Sequence, residues 1–361
     1  MKKIFAAYCL FYLILSAANA SQAGQMYNHG YIGKAQFDIN EERFSLFDKN
    51  QKCKYLFNDV HFHPKNFIMR GESLSQIFKE TKKNCVNKVL VNSLPLIEHW
   101  DGESTDVRPT YYTHDKSKFY WNSVSDITTF EEYRKLPKEQ KSKFIFLVNG
   151  FLHFDMSAID AVKTTLKLYP DLPIMGFGEI FGEHDIMSDQ MNPPSQIDSK
   201  SLDPVYKLAG ENNMVVMIHN NLSHRSFKGP TPTIYLKSTQ NVLRKNRKTK
   251  FILPHAGVMR NIVIDNLAEV IGDMLNRNHN LYIDLSFVVL ENYIMPHGSV
   301  EKDWVELIEK YPNRFLIGSD NLGGYKDFYD IKKFIPLLDT LSTKTANKLA
   351  NGNFETLFSR K

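Results

Sequence analysis

Residues 55–64 read Tyr55-Leu56-Phe57-Asn58-Asp59-Val60-His61-Phe62-His63-Pro64, an apolar run that leads into two histidines. Because alternate side chains of a β-strand point to the same face, His61 and His63 would project together from one strand end. Two imidazoles held on a rigid strand form half of a metal-binding site. The chain has 12 histidines among 361 residues, so a His-x-His pair alone is a weak signal that depends on its context.

The same unit of an apolar run and a helical segment repeats to the end of the chain. Several of the apolar runs lack polar alternation, which is typical of parallel strands covered on both faces. Strands are predicted at residues 55–61, 88–92, 144–149, 174–179, 214–219, 251–255, 281–286 and 314–320. Helices are predicted at 71–84, from 125 to about 136, and at 158–169, 202–212, 234–245, 262–277, 300–310, 327–338 and 343–351.

Repeated βα units form either a closed barrel or an open doubly wound sheet. No Gly-x-Gly-x-x-Gly motif follows the first predicted strand, so the usual sign of a dinucleotide-binding open sheet is missing. Polar residues follow strands one, four, five, six and eight. These strand ends would be spread along a line in an open sheet, whereas they surround one mouth in a barrel. We therefore predict an α/β protein with one (β/α)8 TIM-barrel domain over residues 55–361.

The connection after strand two is unusually long and rich in aromatic residues. It carries Trp100, Tyr111, Tyr112, Tyr120 and Trp121. Long connections with their own aromatic residues often fold over a site as a lid or cap, but a surface excursion that contacts no ligand is equally compatible. The sequence thus predicts a long insertion after strand two and leaves its role open.

The first twenty residues have the pattern of a secretory signal peptide. Lys2 and Lys3 precede an apolar run at residues 4–15, and Ala18-Asn19-Ala20 has the small residues of a cleavage site. An uncleaved membrane anchor is the alternative, but the run is short for a span of roughly 20 residues. We predict cleavage after Ala20, a periplasmic or secreted location, no membrane association after cleavage, and an arm at residues 21–54 ahead of the barrel.

Two cysteines, Cys53 and Cys85, remain after this cleavage. An exported protein meets an oxidising compartment, where a disulfide is expected, and two buried free thiols are the alternative. Cys53 precedes the first predicted strand and Cys85 the second, so both would lie at the same end of neighbouring strands. A bridge is therefore geometrically plausible, although the separation of the Cα atoms does not follow from sequence.

Four more residues of metal-ligand type end apolar runs. A buried histidine or aspartate at such a position needs a partner, because an unpaired buried polar group costs about 1–3 kcal/mol. For any single one, a hydrogen-bonded core residue is an adequate explanation, but six such residues on five strands point to a shared ligand. Besides His61 and His63, they are Glu179, His219, His255 and Asp320.

This ordered set resembles the amidohydrolase superfamily, in particular its amidohydrolase-related branch of metal-dependent TIM-barrel hydrolases. The resemblance runs from about residue 55 to residue 358 and includes the stretch 346–354, which is similar to the family's terminal helix. Many members carry a carboxylated lysine on strand four that bridges two metals, and this chain has Glu179 there. The metal count therefore stays open between two ions bridged by Glu179, as in the similar TatD-type deoxyribonucleases, and one ion with Glu179 as an outer partner.

The resemblance implies a divalent cation as cofactor, with zinc favoured by the ligand types and manganese, iron or nickel compatible with similar donors. Such an ion lowers the pKa of its water to about 7. Asp320 would accept the proton of this water and later deliver it to the leaving group. His255 would polarise the substrate carbonyl or stabilise an oxyanion, unless it binds a second ion. The implied metal ligands are His61, His63, Glu179, His219 and Asp320.

Four further residues are expected near the mouth and are candidates for substrate binding. An arginine there could hold a substrate carboxylate. Ordinary loop residues are the alternative for each of them. The candidates are Asn92 at the end of strand two, His153 after strand three, and Arg225 and Arg260 after strands five and six. The remaining histidines, His184 among them, lack a strand-end position and are interpreted as surface or structural residues.

The leading functional hypothesis is an exported metal-dependent hydrolase that acts on an amide, ester or lactone-like bond of a small molecule. The alternatives are a metal-dependent non-oxidative decarboxylase of the same branch, a TatD-like phosphodiesterase, and a non-catalytic metal- or ligand-binding protein. Loss of Lys2 and Lys3 lowers the formal net charge from +5 to +3, which is too mild to predict a nucleic-acid partner. The oligomeric state stays open, a homo-oligomer included.

Overall fold

The computed structural model describes residues 53–100, 118–226, 228–325 and 330–359. The predicted signal peptide at 1–20, its cleavage after Ala20 and nearly all of the predicted arm at 21–54 lie outside these residues. Tyr111 and Tyr112 of the insertion also lie outside them. Within the described ranges, no helix combines the length and apolar character that crossing a bilayer requires.

The centre of the fold is a parallel sheet in which each predicted strand has a counterpart. The first strand is buried along all seven residues, as expected for a strand covered on both faces. The strands are β1 (Phe57–His63), β2 (Val86–Asn92), β3 (Phe144–Val148), β4 (Ile174–Phe181), β5 (Val215–His219), β6 (Lys250–Leu253), β7 (Leu281–Asp284), β8 (Phe315–Leu316) and β9 (Asn321–Leu322). Their order in the sheet is β8-β7-β6-β5-β4-β3-β2-β1-β9.

The sheet closes on itself through residues 315–322. The two outermost strands are β8, which lies within the predicted eighth strand, and β9, which directly follows it; β8 pairs with β7, and β9 pairs with β1. Between them, the Ile317 carbonyl accepts a hydrogen bond from Val60 N at 3.0 Å, and Asp320 N donates to the His61 carbonyl at 2.8 Å. One segment is thus bonded to both ends of the sheet, and the predicted (β/α)8 barrel is confirmed.

Helices pack their apolar faces on the outside of this barrel. Helix α1 buries Leu74, Ile77 and Phe78 at helical spacing, and Ser73 caps its first turn by accepting from Gln76 N at 3.2 Å. The other helices are α2 (Ser125–Arg134), α3 (Lys138–Lys141), α4 (Ala158–Leu168), α5 (Asp203–Glu211), α6 (Leu236–Lys245), α7 (Leu267–Arg277), α8 (Lys302–Lys310), α9 (Ile335–Thr340), α10 (Thr343–Asn347) and α11 (Asn353–Leu357), with α1 spanning Leu74–Lys83.

Three predicted boundaries are wrong because left-handed residues interrupt the regular structure. The sixth strand, predicted to reach residue 255, stops at Leu253, since Pro254 follows and His255 has a φ of 54°. The helix predicted from residue 262 begins at Leu267, directly after Asn266 with a φ of 51°. The eighth strand, predicted over 314–320, ends at Leu316, and β9 begins beyond the predicted range, directly after Asp320 with a φ of 54°.

The described part of the insertion forms a small sheet of its own. Residues Leu96–Glu98 pair antiparallel with Phe119–Trp121, which pair parallel with Met191–Asn192 from the loop after β4. The Trp121 ring packs on the His153 ring, with 4.8 Å between their centroids. The insertion therefore packs against the loops that follow β3 and β4, on the side of the barrel where the predicted site residues lie.

Cys53 and Cys85 form a disulfide, with their Cα atoms 5.6 Å apart. The bridge joins the residues just before β1 and β2, where the Cys85 carbonyl also accepts a hydrogen bond from Phe57 N at 2.9 Å. It therefore fastens the beginning of the described chain to the end of the barrel opposite the histidines.

A buried carboxylate joins helix α2 to the end of β3. Asp126 Oδ2 accepts hydrogen bonds from Asn149 N at 2.8 Å and from Gly150 N at 2.6 Å. Burial raises the pKa of Asp126 to about 6, although these backbone N–H groups act in the opposite direction. The folded protein thus holds a proton on this group more tightly than the unfolded chain does.

We expect Asp126→Asn to change how the free energy of unfolding depends on pH. In the wild type, the contribution of Asp126 to the free energy of unfolding is fully present below about pH 4, the pKa of an aspartate in the unfolded chain. It is lost as the pH rises through about 6, the pKa of Asp126 in the folded protein. Asparagine keeps an acceptor oxygen without a charge, so the variant should gain about 2–3 kcal/mol relative to wild type between pH 4 and pH 7. Denaturant titrations at both pH values measure this difference. An equal variant-minus-wild-type difference at the two pH values would contradict the raised pKa.

Candidate metal centre

Six polar side chains from five barrel strands meet at the carboxyl ends of the strands. This is the end at which TIM barrels carry their active sites. All of them are buried except Asp320, whose side chain is 15% exposed. They are His61 and His63 on β1, Glu179 on β4, His219 at the end of β5, His255 directly after β6, and Asp320 between β8 and β9.

Four of these side chains bring one ligand atom each to a common point. The Nε2 atoms of His61 and His63 lie 3.1 Å apart. Glu179 Oε2 lies 3.4 Å from the first nitrogen and 3.5 Å from the second. Asp320 Oδ1 lies 3.5 Å and 3.2 Å from the same two atoms. Tetrahedral coordination at about 2.0–2.1 Å separates neighbouring ligand atoms by about 3.3 Å, so these five distances, each of which involves an imidazole nitrogen, fit neighbouring ligands of one ion.

Hydrogen bonds on the far side of each ring show which nitrogen faces the centre without a proton. His63 Nδ1 lies 3.0 Å from the Asn92 carbonyl oxygen, and His61 Nδ1 lies 2.9 Å from Asp284 Oδ2. Both partners only accept hydrogen bonds, so each Nδ1 carries a hydrogen, and each ring presents a bare Nε2 to the centre in the neutral form that binds a metal. In that form, all four atoms at the centre carry lone pairs and no hydrogen, so they repel one another. A divalent cation removes this repulsion, because imidazole nitrogens and carboxylate oxygens are its ligands.

A second set of ligand atoms lies beside the first. Glu179 turns its other oxygen, Oε1, toward His219 Nδ1 at 2.7 Å, so one carboxylate faces both sets. His219 Nε2 is buried and has no hydrogen-bond partner among the described residues. The ligand atoms of Glu179, His219 and His255 lie within 4.8 Å of one another, as do those of His61, His255 and Asp320. Glu179 therefore belongs to two of the three groups of ligand atoms.

The carboxylates give this cluster a strong affinity for positive charge. Burial lowers the pKa of His61, but Glu179 and Asp320 outweigh burial and hold it well above its ordinary value. Burial raises the pKa of Glu179, but His61 and His219 bring it well below its ordinary value. For Asp320, burial is outweighed by His61 and His255, and its pKa falls to about 2. Both carboxylates are thus ionised at neutral pH.

Asp59 fastens the turn that carries Asp320 to strand β1. Asp320 has a φ of 54°, a left-handed conformation that costs an aspartate about 1 kcal/mol or more. The fully buried Asp59 accepts hydrogen bonds from Ser319 N at 2.9 Å, from Ser319 Oγ at 2.6 Å and from the Tyr325 hydroxyl at 2.7 Å. These bonds offset the unfavourable conformation and fix the position of the Asp320 carboxylate.

Comparison with known proteins supports the fold. No family profile matches this chain, and no curated protein does. A zinc-bound amidohydrolase from Burkholderia multivorans superposes with a TM-score of 0.51 at 12% identity, over 84% of this chain and 99% of its own. A TIM-barrel protein of unassigned function from Bordetella bronchiseptica superposes with a TM-score of 0.50 at 12% identity, over 83% of this chain and 97% of its own.

These structural neighbours are thus an amidohydrolase and a TIM-barrel protein. This chain is a TIM barrel. At 12% identity the likeness establishes the fold, and the chemistry of the TIM-barrel mouth has to be argued from its own residues.

Two of the predicted substrate-binding residues, Asn92 and His153, contact other residues of the TIM barrel. The Asn92 carbonyl sets the tautomer of His63, and Asn92 Nδ2 lies 3.8 Å from Met217 Sδ. His153 Nε2 lies 3.0 Å from Asn149 Oδ1, and its Nδ1 accepts from Phe181 N at 3.2 Å. Burial lowers the pKa of His153 to about 3, so the ring is neutral. Because both ring nitrogens are engaged internally, the structure corrects the predicted substrate role of His153 and makes it a tie between the ends of β3 and β4.

The two predicted arginines differ in their distance from the centre. Arg225 is exposed, and its guanidinium lies 3.9 Å from Asp189 at the rim of the barrel. Arg260 lies over the Phe287 ring at 4.4 Å, and that ring is 5.8 Å from the ring of His255. The structure therefore brings Arg260 close to the metal ligands and leaves Arg225 at the surface, and a substrate role of either stays a prediction.

Two residues beside the centre did not emerge from the sequence, and a third was interpreted as structural. Asp284 and Ser286 contact the outer nitrogens of His61 and His255. Asp284 ends the apolar run of the seventh strand, so the strand-end pattern that indicated the other ligands could have found it. His184 is buried and stacks on His219, with 4.8 Å between the ring centroids, which agrees with its interpretation as a structural residue.

Proposed function

We propose that this protein is an exported metal-dependent hydrolase acting on an amide, ester or lactone-like bond of a small molecule. The proposal rests on the meeting of four side chains at the barrel mouth, where Nε2 of His61 and Nε2 of His63 lie 3.1 Å apart and each lies 3.2–3.5 Å from an oxygen of Glu179 and an oxygen of Asp320. Zinc is supported by the ligand types and by the zinc-bound amidohydrolase of the same fold. The signal-peptide pattern and the disulfide support export to an oxidising compartment.

We also propose two ions rather than one. Glu179 offers one oxygen to each set of ligands, and His219 Nε2 would otherwise be a buried polar atom without a partner. His255 can join the second set because its ligand atom lies within 4.8 Å of those of Glu179 and His219, and because its Nδ1 contacts the Ser286 carbonyl and hydroxyl, which leaves Nε2 for an ion. When bound, a divalent cation lowers the pKa of water and polarises a carbonyl group.

Asp320 is suited to move the proton of the attacking water. Its carboxylate is ionised, it is the only partly exposed group among the six, and its turn is fixed by Asp59. It would accept the proton at a carboxylate oxygen and deliver it to the leaving group. Burial lowers the pKa of His255 to about 4, so this ring is neutral with a bare Nε2 and has no proton to give to an oxyanion. This favours a ligand role for His255 over that of a hydrogen-bond donor.

We expect chelation to abolish hydrolysis by the purified mature protein and to lower its thermal stability, with zinc restoring both. A cation that binds only the folded state at 100 times its Kd adds about 2.7 kcal/mol to the free energy of unfolding. Elemental analysis gives the identity and number of the ions, and a panel of amides, esters and lactones tests the reaction.

The same panel separates the alternatives. Release of CO2 without hydrolysis would assign a non-oxidative decarboxylase, and cleavage of a phosphodiester would assign a TatD-like enzyme. Metal uptake without turnover of any substrate would indicate a binding protein. A purified protein that takes up no divalent cation would overturn the proposal as a whole.

A further inference from the structure

Two residues at the end of β7 connect histidines of the two ligand sets. Asp284 and Ser286 are both fully buried. Asp284 Oδ2 lies 2.9 Å from His61 Nδ1 and 2.5 Å from Ser286 Oγ. Ser286 Oγ lies 2.9 Å from His255 Nδ1 and 3.3 Å from His61 Nδ1. These four side chains form a continuous chain of hydrogen bonds behind the metal ligands.

The direction of each hydrogen bond in this chain follows from the groups involved. A carboxylate only accepts, so His61 Nδ1–H and the Ser286 hydroxyl both donate to Asp284 Oδ2. A serine hydroxyl has one hydrogen, so toward His255 its oxygen is an acceptor and His255 Nδ1–H is the donor. The Ser286 carbonyl, 3.3 Å from His255 Nδ1, is a second acceptor for the same hydrogen.

We propose that Asp284 sets the tautomers of two metal-binding histidines at once, His61 directly and His255 through the Ser286 hydroxyl. Both rings thereby carry their hydrogen on Nδ1 and turn a bare Nε2 to the cations. Asp284 and Ser286 are positioning residues, since neither faces the centre itself. The inference rests on the metal centre of the proposed function for its consequence, but the tautomer of His255 is a property of the protein without metal.

The substitution Asp284→Asn is nearly isosteric, and we expect it to reverse the direction of every hydrogen bond in this chain. Asp284 Oδ1 accepts from Ser286 N at 2.9 Å, so the amide oxygen of the asparagine takes this place and its NH₂ group faces His61 and Ser286. A donor at that position pushes the hydrogen of His61 onto Nε2. It also donates to Ser286 Oγ, whose hydroxyl then turns to His255 Nδ1 and moves that ring's hydrogen onto Nε2 as well.

The first measurement is the zinc affinity in competition with a chelator. We expect Asp284→Asn to weaken zinc binding by about 10–100-fold, the range seen for partners of metal-bound histidines, and Ser286→Ala to weaken it less because the bond to His61 stays. Ser201→Ala is the matched control: Ser201 is equally buried and donates to the His153 carbonyl at 2.6 Å, away from the chain of bonds. Its zinc affinity should equal that of wild type.

The second measurement is the tautomer of His255 in metal-free protein by nitrogen-15 NMR of labelled histidine. We expect Nδ1–H in the wild type and Nε2–H in Asp284→Asn, although Asp284 does not touch His255. Adding Ser286→Ala to Asp284→Asn should restore Nδ1–H, because the connecting hydroxyl is gone. An unchanged His255 tautomer in Asp284→Asn, or a zinc affinity no lower than that of Ser201→Ala, would overturn the inference. Failure of the wild type to bind zinc would refute the proposed function and leave the NMR test intact.

Discussion

We expect His61→Ala to lose bound metal and hydrolytic activity together. His61 supplies a ligand atom to two of the three overlapping ligand groups, so its removal takes a ligand atom from both of them and leaves only Glu179, His219 and His255 as a complete group. It also removes a nitrogen that lies near both the Glu179 and the Asp320 carboxylate. Without it, the repulsion between these two negative charges is less well compensated. The loss of zinc affinity should exceed the ~10–100-fold expected for a partner that only orients a ligand. Metal content after gel filtration and initial hydrolysis rates of the same sample measure both effects.

The control for this variant is His279→Ala. His279 is exposed on the outside of the barrel, so the substitution removes an imidazole without touching the mouth. It should keep the metal content and rate of the wild type. Full activity in His61→Ala would remove His61 from the site, and metal loss with unchanged activity would separate the metal from the reaction.

We expect Asp320→Asn to retain zinc at saturating concentration and to lose turnover. Asparagine keeps an oxygen that can face the cation, but an amide cannot accept the proton of the attacking water. Loss of a general base costs about 10²–10⁴-fold, which should fall on kcat with little change in KM. Steady-state kinetics with saturating zinc, together with elemental analysis, separates this effect from metal loss.

Asp273→Asn is the matched control, an exposed aspartate on helix α7 that should leave kcat unchanged. If Asp320→Asn keeps a kcat within about tenfold of the wild type, another group takes the proton. Glu179 would then be the next candidate, because its carboxylate is the only other one among the six residues.

The six residues of the site could be predicted from polar residues that end apolar runs, because the position of a residue along a strand fixes its place in the barrel. An apolar run that ends in a polar residue places that residue at the carboxyl end of its strand, and parallel strands bring all such ends to one mouth. Asp284 ends the run Leu281-Tyr282-Ile283 of the seventh strand in the same way, so the same pattern also indicates Asp284. Asp284 differs from the six predicted residues because it contacts the outer nitrogen of His61 and does not itself face the centre.

Element boundaries near the site could not be read from apolar runs. His255 and Asp320 both have a φ of 54°, and nothing in their residue types requires it. Their conformations are imposed by surrounding bonds, such as those of Asp59 to the Ser319 backbone. The apolar runs continued past the points where the backbone turned, so the predicted strands six and eight were too long.

The sequence alone determined the repeated βα architecture and the six side chains that meet at the barrel mouth, because both follow from the order of residue types along single strands. Only the tertiary structure decided which nitrogen of each imidazole faces the centre. That choice depends on the group behind the ring, and the partner of His61 lies 223 residues away in sequence. It also separated His153, whose two nitrogens are used internally, from the histidines whose Nε2 remains bare. A hydrogen bond between distant strands has no signature in either strand, so the protonation pattern of the site is a property of the folded barrel.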